Sequence, residues 1–184
     1  MGNNILIAGV GGQGTILAGK IISQVALMSG YEIKVSEIHG MSQRGGSVVT
    51  QVRFGEQIAS PIIMEGSADT IIAFELLEAL RILPELKKGG QMIVNEQIIL
   101  PMPVLTGTAA YPDPEEIKNQ INAHAAKAIF FDALALALAA GAAQAVNLVL
   151  LGCFSRLLPM EENLWHEAIK SLIKPQFQNW IKRA

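Results

Sequence analysis

The fold is decided by the stretch Asn4-Ile5-Leu6-Ile7-Ala8-Gly9-Val10-Gly11-Gly12-Gln13-Gly14, in which an apolar run leads into a turn of glycines. The apolar run is short and nearly continuous, the pattern of a strand that is covered on both faces of a parallel sheet. Apolar residues then recur at helical spacing from Thr15 to Ser29, and Gly30 provides a left-handed stop. This order of strand, glycine turn and helix predicts the first unit of an α/β fold.

The remaining chain continues to alternate between strands and helices. Further strands are predicted at Glu32–Ile38, Ser47–Phe54, Thr70–Phe74, Met92–Val94 and Ile129–Phe131. Helices are predicted after Glu75, after the Asp113 N-cap, in two buried pieces broken near Gly141, and over Leu164–Leu172. Ser47–Phe54 is expected to pair with Gln57–Ala59 as a hairpin. We therefore predict a Rossmann-like, doubly wound, mostly parallel sheet with an inserted β-hairpin, in one domain over residues 1–184.

Composition excludes several classes of function. The chain has 184 residues, of which 16% are charged, and its net charge of −2 provides no field to attract nucleic acid or anionic lipid. Its single cysteine, Cys153, makes no intrachain disulfide and cannot hold an iron–sulfur cluster. The start of the chain lacks a basic region and a cleavage site, and we interpret the uncharged stretch Ala133–Ser155 as buried helices rather than a membrane span. We expect a cytoplasmic protein with no nucleic-acid or membrane partner.

The glycine turn satisfies the pattern G-x-G-x-x-G at Gly9, Gly11 and Gly14, and Gly12 and Gln13 complete it. Two interpretations are open. Glycines let backbone N–H groups approach a phosphate at the positive end of a helix, but they also permit a tight turn and close packing of helix on sheet. Glu37 lies near the distance of about 20 residues at which an acidic residue binds a ribose hydroxyl in dinucleotide-binding folds.

The most polar segment of the chain follows the second predicted strand. It contains Glu37, His39, Ser42, Gln43 and Arg44 and ends in Gly45-Gly46, without helical or strand periodicity, so it is predicted to be a loop. Two roles are open for Arg44. It could form a bidentate interaction with a carboxylate or phosphate, or it could donate hydrogen bonds to loop carbonyls or to an acidic residue of a partner. His39 is either a proton carrier or a hydrogen-bonded loop histidine; we favour the second, since no carboxylate or nucleophile accompanies it at a diagnostic spacing.

These segments are expected to lie along one edge of the sheet. The glycine loop, residues 37–46, Glu75 and the dipeptide Asn95-Glu96 all follow predicted strand ends, and doubly wound sheets bind ligands beyond the carboxyl ends of their strands. Asp69 and Asp132 are interpreted as caps or turn formers. Motifs of self-contained hydrolases and kinases are absent, and no residue is assigned a catalytic role.

The two segments Asn4–Gly14 and Glu37–Val49 together resemble the gamma-type subunit of the 2-oxoacid:ferredoxin oxidoreductases. The string His39-Gly40-Met41-Ser42-Gln43-Arg44-Gly45-Gly46 is the specific part, and it is most similar to the beta subunit of indolepyruvate ferredoxin oxidoreductases. Asp69–Glu75, Gly89-Gly90 with Asn95, and Asn147–Gly152 follow the order of the family. The resemblance implies that residues 1–184 form one gamma-type domain.

The resemblance also implies oxidative decarboxylation of a 2-oxoacid, with coenzyme A accepting the acyl group and ferredoxin the electrons. Thiamine diphosphate would supply the carbanion chemistry. No signature for thiamine diphosphate is present in this chain. We therefore expect an alpha-type partner subunit to bind thiamine diphosphate and the [4Fe-4S] clusters, and we expect this chain alone to bind none of these cofactors. The glycine loop and the Arg44 edge would then face coenzyme A, the substrate carboxylate or the partner.

Two other classes of function are kept as alternatives. The first is an independent NAD-type dehydrogenase, for which Gly9–Gly14 and Glu37 are the whole case. It would need a catalytic domain for which 184 residues leave little room. The second is a scaffolding module without catalysis, which would associate through the stretch Ala133–Leu158.

Overall fold

The computed structural model describes residues 2–40 and 45–173, which form one six-stranded sheet with helices on both faces. The strands are β1 (Asn3–Val10), β2 (Glu32–His39), β3 (Ser47–Gly55), β4 (Ala68–Ala73), β5 (Leu86–Asn95) and β6 (Lys127–Phe131). The helices are α1 (Thr15–Met28), α2 (Leu76–Ile82), α3 (Met102–Leu105), α4 (Pro114–His124), α5 (Ala133–Ala139), α6 (Val146–Ser155) and α7 (Glu162–Leu172).

The strands lie in the order β2-β3-β1-β4-β5-β6. β1, β4, β5 and β6 are parallel neighbours, whereas β3 runs antiparallel to both β1 and β2. Five strands therefore share one direction and β3 alone opposes them. The predicted α/β class with a mostly parallel sheet is confirmed.

The predicted hairpin has a different partner. β3 pairs along its whole length with β2, from Glu32 opposite Gly55 to His39 opposite Val48, and residues 57–59 form no strand. The pairing of Ser47–Phe54 with Gln57–Ala59 was therefore wrong. Instead, the backbone N–H of Ile58 donates to the Glu32 carboxylate at 3.0 Å, and this bond, with the nearby Lys34 ammonium, lowers the pKa of Glu32. The hairpin is β2–β3, and β3 is inserted between β2 and β1.

Two apolar layers cover the two faces of the sheet. On one face, α1, α5, α6 and α7 pack on residues such as Ile7, Val52 and Ile72; on the other, α2 and α4 pack on Leu6, Ile71 and Met92. Five of these six side chains have 1% or less of their surface exposed, and Leu6 has 2%. Coverage of both faces confirms the doubly wound arrangement and explains why β1 is apolar and buried from Ile5 to Val10.

The Ala-rich stretch is helical in two pieces, as predicted. α5 ends at Ala139, Gly141 adopts a positive φ of 93°, and α6 begins at Val146. A positive φ is readily adopted only by glycine, so the break is encoded at this position. No helix in residues 2–40 or 45–173 is long and apolar enough to cross a bilayer.

α1 approaches β3 so closely that one position requires glycine. A Cβ placed on Gly19 would lie 2.7 Å from Cγ2 of Thr50, and Thr50 is fully buried in the middle of the sheet. By contrast, a Cβ on Gly152, which lies in α6 and is exposed, would meet nothing within 4 Å.

These two helical glycines form a matched test. We expect Gly19→Ala to lower the free energy of unfolding by about 1–2 kcal/mol, because overpacking outweighs the gain in helix propensity. Gly152→Ala should raise it by up to about 1 kcal/mol. Urea unfolding of the two variants measures the difference, and a stabilised Gly19→Ala would contradict the close packing of α1 on β3.

Candidate functional site

The two predicted site segments meet at a cleft of about 800 Å³ at the N-terminus of α1. The cleft lies between the glycine turn and the end of β2. Its lining comprises Gly11, Gly12, Gly14, Thr15, Ile16, Leu17, Lys20, His39, Gly40 and Val48. The sequence analysis placed both segments at the carboxyl edge of the sheet, and the structure brings them into one cavity there.

The glycines of the turn have different surroundings: some are closely packed against other residues, and one borders open space. A Cβ on Gly9 would lie 2.9 Å from both Oε1 of Gln13 and Cγ2 of Thr15, so Gly9 is required by close packing. Gly14 has φ 88° and abuts the buried side chain of Asn147. Gly12, with φ 101°, has nothing within 4 Å of its Cβ position and lines the cleft. Close packing therefore accounts for Gly9 and Gly14, whereas Gly12 borders open space, and ligand binding at the turn stays a prediction.

Gln13 and Gly11 are engaged inside the chain. Oε1 of Gln13 accepts from the N–H of Val10 at 2.7 Å, and its Nε2 donates to the carbonyl of Phe74 at 3.0 Å and to Oε1 of Gln97 at 3.2 Å. The N–H of Gly11 donates to the carbonyl of Gly46 at 2.9 Å. Gln13 thus shapes the turn, and the Gly11 bond ties the turn to the loop that precedes β3.

His39 has a carboxylate beside it that the sequence analysis missed. Nε2 of His39 lies 3.3 Å from Oε2 of Glu37, and both side chains are partly exposed. Residues two apart on a strand project from the same face, so the period of two along β2 was the available signal. The sequence analysis considered only diagnostic catalytic spacings and so missed this carboxylate; the role of His39 stays a prediction. Glu37 lies in β2, within the predicted strand, and lines a groove beside the cleft rather than the cleft itself.

Lys20 is a second residue that the sequence analysis did not single out. It lies one turn after Ile16 on α1, and both residues line the cleft. Among the described residues of the lining, Lys20 alone carries a fixed positive charge. Lys20 also lines an adjoining groove of about 430 Å³ that runs between α1 and β2, past Leu27 and Val35. The cleft therefore continues into a less polar channel.

Glu75 lies at the predicted edge, but its carboxylate is bonded within the chain. Its exposed fraction is 1%; Oε2 accepts from the N–H of Glu78 at 2.9 Å and so caps α2. Oε1 accepts from the hydroxyl of Tyr111 at 2.7 Å and from the N–H of Ile99 at 3.1 Å. Burial, followed by the bond to Glu75, raises the pKa of Tyr111. Glu75 fixes the loop that follows β5.

A second buried carboxylate, that of Glu78, was not predicted. Its two oxygens accept from the hydroxyl of Ser47 and from the guanidinium of Arg81. Gly45, with φ 76°, and Gly46 come directly before Ser47. The predicted site residues Ser42, Gln43 and Arg44 lie outside the described residues, so their roles stay predictions.

The other polar residues of the edge have structural partners. Asn95 is fully buried; its Nδ2 donates to the carbonyl of Phe74 at 3.0 Å and its Oδ1 accepts from the N–H of Ala133 at 2.9 Å. Glu96 binds the Lys118 ammonium at 2.6 Å. Asp132 caps α5, as predicted.

Metal chemistry has little support in the residues that the structure describes. They contain no group of three His, Cys, Asp or Glu side chains arranged to hold a metal ion. Cys153 is partly buried, and burial raises the pKa of its thiol. One protonated thiol does not fit the four thiolates that an iron–sulfur cluster needs.

Comparison with known proteins agrees with this fold and with the motifs. Residues 4–182 match the family model described as pyruvate ferredoxin/flavodoxin oxidoreductase. The chain belongs to this family. The resemblance inferred from the glycine turn and the His39–Gly46 string is therefore confirmed.

Individual relatives narrow the comparison. The chain is 42% identical over 176 residues to an indolepyruvate oxidoreductase subunit IorB from Thermococcus kodakarensis, covering 94% of this chain and 87% of the relative. It shares its fold with a keto/oxoacid ferredoxin oxidoreductase gamma subunit from Geobacter sulfurreducens, with a TM-score of 0.72, 22% identity, and coverage of 98% and 92% of the two chains. In a 2-oxoglutarate:ferredoxin oxidoreductase from Magnetococcus marinus, at 19% identity and a TM-score of 0.72, 99% of this chain covers 29% of the longer chain.

The Tyr111–Glu75 bond makes a pH-dependent prediction. Because the pKa of Tyr111 is raised above its ordinary 10.0 in the folded chain, the unfolded chain ionises first as the pH rises. The stability from this group is complete below pH 10 and is lost above it. Tyr111→Phe should cost about 1 kcal/mol at pH 8, and the gap to wild type should shrink between pH 10 and 11.5 in urea unfolding. A constant gap would contradict the raised pKa.

Proposed function

We propose that this chain is the small subunit of an indolepyruvate or other aryl-pyruvate ferredoxin oxidoreductase. In this proposal it supports the coenzyme A-dependent oxidative decarboxylation that an alpha-type partner carries out. The observation that carries the proposal is the 42% identity to an indolepyruvate oxidoreductase subunit over nearly the whole chain. The string His39–Gly46, which resembles the same subunit, supports it from a separate line of reasoning.

In this proposal the partner subunit holds the redox centres. Electrons must leave the 2-oxoacid one at a time to reach ferredoxin; we expect iron–sulfur clusters to carry them, and the one cysteine of this chain cannot ligate such a cluster. Thiamine diphosphate would supply the electron sink for decarboxylation, and we expect it in the partner as well. The assembled complex would then transfer the electrons to ferredoxin. A cytoplasmic location stays a prediction from the cysteine content.

We infer that the cleft at α1 receives the phosphate end of coenzyme A. Gly14 precedes α1 without a side-chain cap, so the first amides of the helix are left for a ligand. The ammonium of Lys20 and the imidazole of His39 flank the same space. The adjoining groove offers apolar contact from Leu27 and Val35 to an extended, uncharged arm, and its other lining residues Ser23, Gln24 and Glu37 offer polar partners to the amides of that arm. Charge at one end and apolar surface at the other match the two parts of coenzyme A.

The two alternatives have weaker support. An NAD-type dehydrogenase depends on Glu37 binding a ribose, but the Glu37 carboxylate already lies against His39. A scaffold that associates through Ala133–Leu158 conflicts with the burial of α6, since seven residues of this helix are buried and six of them belong to the hydrophobic core. Neither alternative accounts for the similarity to oxidoreductase subunits.

The test of the proposed function is reconstitution. The chain is purified alone and after co-expression with the subunit that co-purifies with it in the native source, and iron and thiamine are counted in each. We expect indolepyruvate-dependent reduction of ferredoxin only in the complex, with both cofactors. Turnover by the isolated chain, or tight binding of NADH to it, would refute the proposal.

Lys20 provides a test of the cleft itself. In the assembled enzyme, Lys20→Gln should raise the KM for coenzyme A about three- to tenfold, because an exposed charge contact to phosphate is worth roughly 1 kcal/mol. The KM for the 2-oxoacid and the thermal midpoint should not change. Lys88→Gln, an exposed lysine of β5 away from the cleft, is the matched control. An equal effect in both variants would place the phosphates elsewhere.

A further inference from the structure

Ser47 fixes one of the two walls of the cleft. The first wall is the glycine turn with α1, and the second is the end of the β2–β3 hairpin, where His39, Gly40 and Val48 line the space. The N–H of Gly40 donates to the carbonyl of Ser47 at 3.1 Å. This bond lies directly beyond the last pair of the two strands, His39 with Val48. The position of the second wall therefore depends on the backbone at Ser47.

The side chain of Ser47 points away from the cleft. Successive side chains of a strand project from opposite faces of the sheet, and the neighbouring Val48 lines the cleft. The Ser47 hydroxyl donates to the carboxylate of Glu78 on α2. Helix α2 packs on the face of the sheet opposite α1, and Glu78 is not among the residues that line the cleft. Glu78 therefore holds the second wall from behind.

Glu78 is a well-fixed acceptor for this bond. Only 3% of its surface is exposed, and its backbone N–H donates to the Glu75 carboxylate at 2.9 Å in the first turn of α2. Its second carboxylate oxygen accepts from the guanidinium of Arg81. Hydrogen bonds to a carboxylate are stronger than those between neutral groups, and close packing leaves a buried side chain few other positions. The bond to Ser47 therefore restrains the start of β3 relative to α2.

The same restraint reaches the first wall. Gly46 directly precedes Ser47, and its carbonyl accepts from the N–H of Gly11 in the glycine turn at 2.9 Å. The bonds made at Gly46 and Ser47 thus join both walls of the cleft to α2. Displacement of Ser47 would move the acceptors of the Gly11 amide and the Gly40 amide together.

We propose that Glu78, acting through Ser47, is a positioning residue for the phosphate end of coenzyme A. This inference rests on the proposed function, in which the cleft receives those phosphates. Glu78 fixes the separation of the two walls that flank the ligand and, because it lies outside the cleft, it makes no contact with the ligand. A small displacement of groups that bind a ligand weakens the binding without changing the charge of the site. The effect of Glu78 therefore falls on the affinity for coenzyme A.

The experiment removes the two side-chain donors to Glu78 one at a time in the assembled enzyme. Ser47→Ala and Arg81→Met each deprive this buried carboxylate of one partner, so both should lower the thermal midpoint, but only Ser47 belongs to the wall of the cleft. We expect Ser47→Ala to raise the KM for coenzyme A about three- to tenfold and to change kcat by less than about twofold, because part of one charge-assisted hydrogen bond is lost. Arg81→Met should retain the KM of the wild type, and so should Ser47→Thr, which keeps a hydroxyl.

Hydrogen exchange of the full chain gives a second readout that does not depend on catalysis. In Ser47→Ala the amides of Gly11 and Gly40 should exchange faster than in the wild type, because their acceptors are less firmly held. In Arg81→Met the exchange of these two amides should not change.

Lys20→Gln separates this inference from the proposed function. A raised KM for coenzyme A in Lys20→Gln, with an unchanged KM and unchanged Gly11 exchange in Ser47→Ala, would refute the role of Glu78 alone. Equal changes of KM in Ser47→Ala and Arg81→Met would also refute it, because the effect would then follow stability. If neither Lys20→Gln nor Ser47→Ala changed the KM for coenzyme A, the assignment of the cleft to coenzyme A would fail, and the role of Glu78 with it.

Discussion

The carboxamide of Gln13 is the interaction on which the functional edge depends. Its oxygen holds the N–H of Val10 at the end of β1, and its nitrogen donates to Phe74 after β4 and to Gln97 after β5. One side chain therefore joins the ends of three neighbouring parallel strands. The glycines around it permit this, because a Cβ on Gly9 would collide with the same carboxamide. The turn is shaped from inside the chain, and the N-terminus of α1 has no side-chain cap.

Two buried carboxylates extend that order around the edge. Glu78 binds Ser47 at the start of β3, directly after Gly46, whose carbonyl accepts from Gly11. Glu75 binds the loop after β5 and also caps α2, the helix that carries Glu78. The glycine turn, the start of β3 and the loop after β5 are therefore linked through successive hydrogen bonds. Because each buried charge has its partners, removal of one would leave an unpaired group rather than a neutral gap.

Local patterns in the sequence predicted where each strand and helix lies better than they predicted which strands lie next to each other in the sheet. The apolar run of β1, the Asp113 cap of α4 and the break at Gly141 are encoded in adjacent residues, and each was found where it was predicted. The alternation of β3 identified a strand but carried no information on which strands lie beside it. Its insertion between β2 and β1 depends on register along eight residues of each neighbour. That is a property of the assembled sheet.

The same distinction applies to the site. The cleft could be predicted because the glycine turn and the loop after β2 both follow the carboxyl ends of strands, and these ends lie along one edge of the sheet. Glu75 was expected at this edge, but its bonds to Ile99 and Tyr111 join residues 24 and 36 positions away, which no local pattern reveals. The predicted strand ended at Ile38, so His39 was assigned to the loop, and this concealed the spacing of two that places its imidazole beside Glu37.

β2 is an edge strand of the sheet, and this position affects the tendency of the chain to aggregate before it assembles with other subunits. An outermost strand has unsatisfied backbone groups that can recruit other polypeptides into aggregates. β2 carries the Glu32–Lys34 ion pair and, further along, the Glu37 carboxylate, so charged side chains lie along its open side. Any polypeptide that paired with β2 as a further strand would have to desolvate those charged side chains. The same strand that borders the cleft thus also protects a freshly made subunit from precipitation.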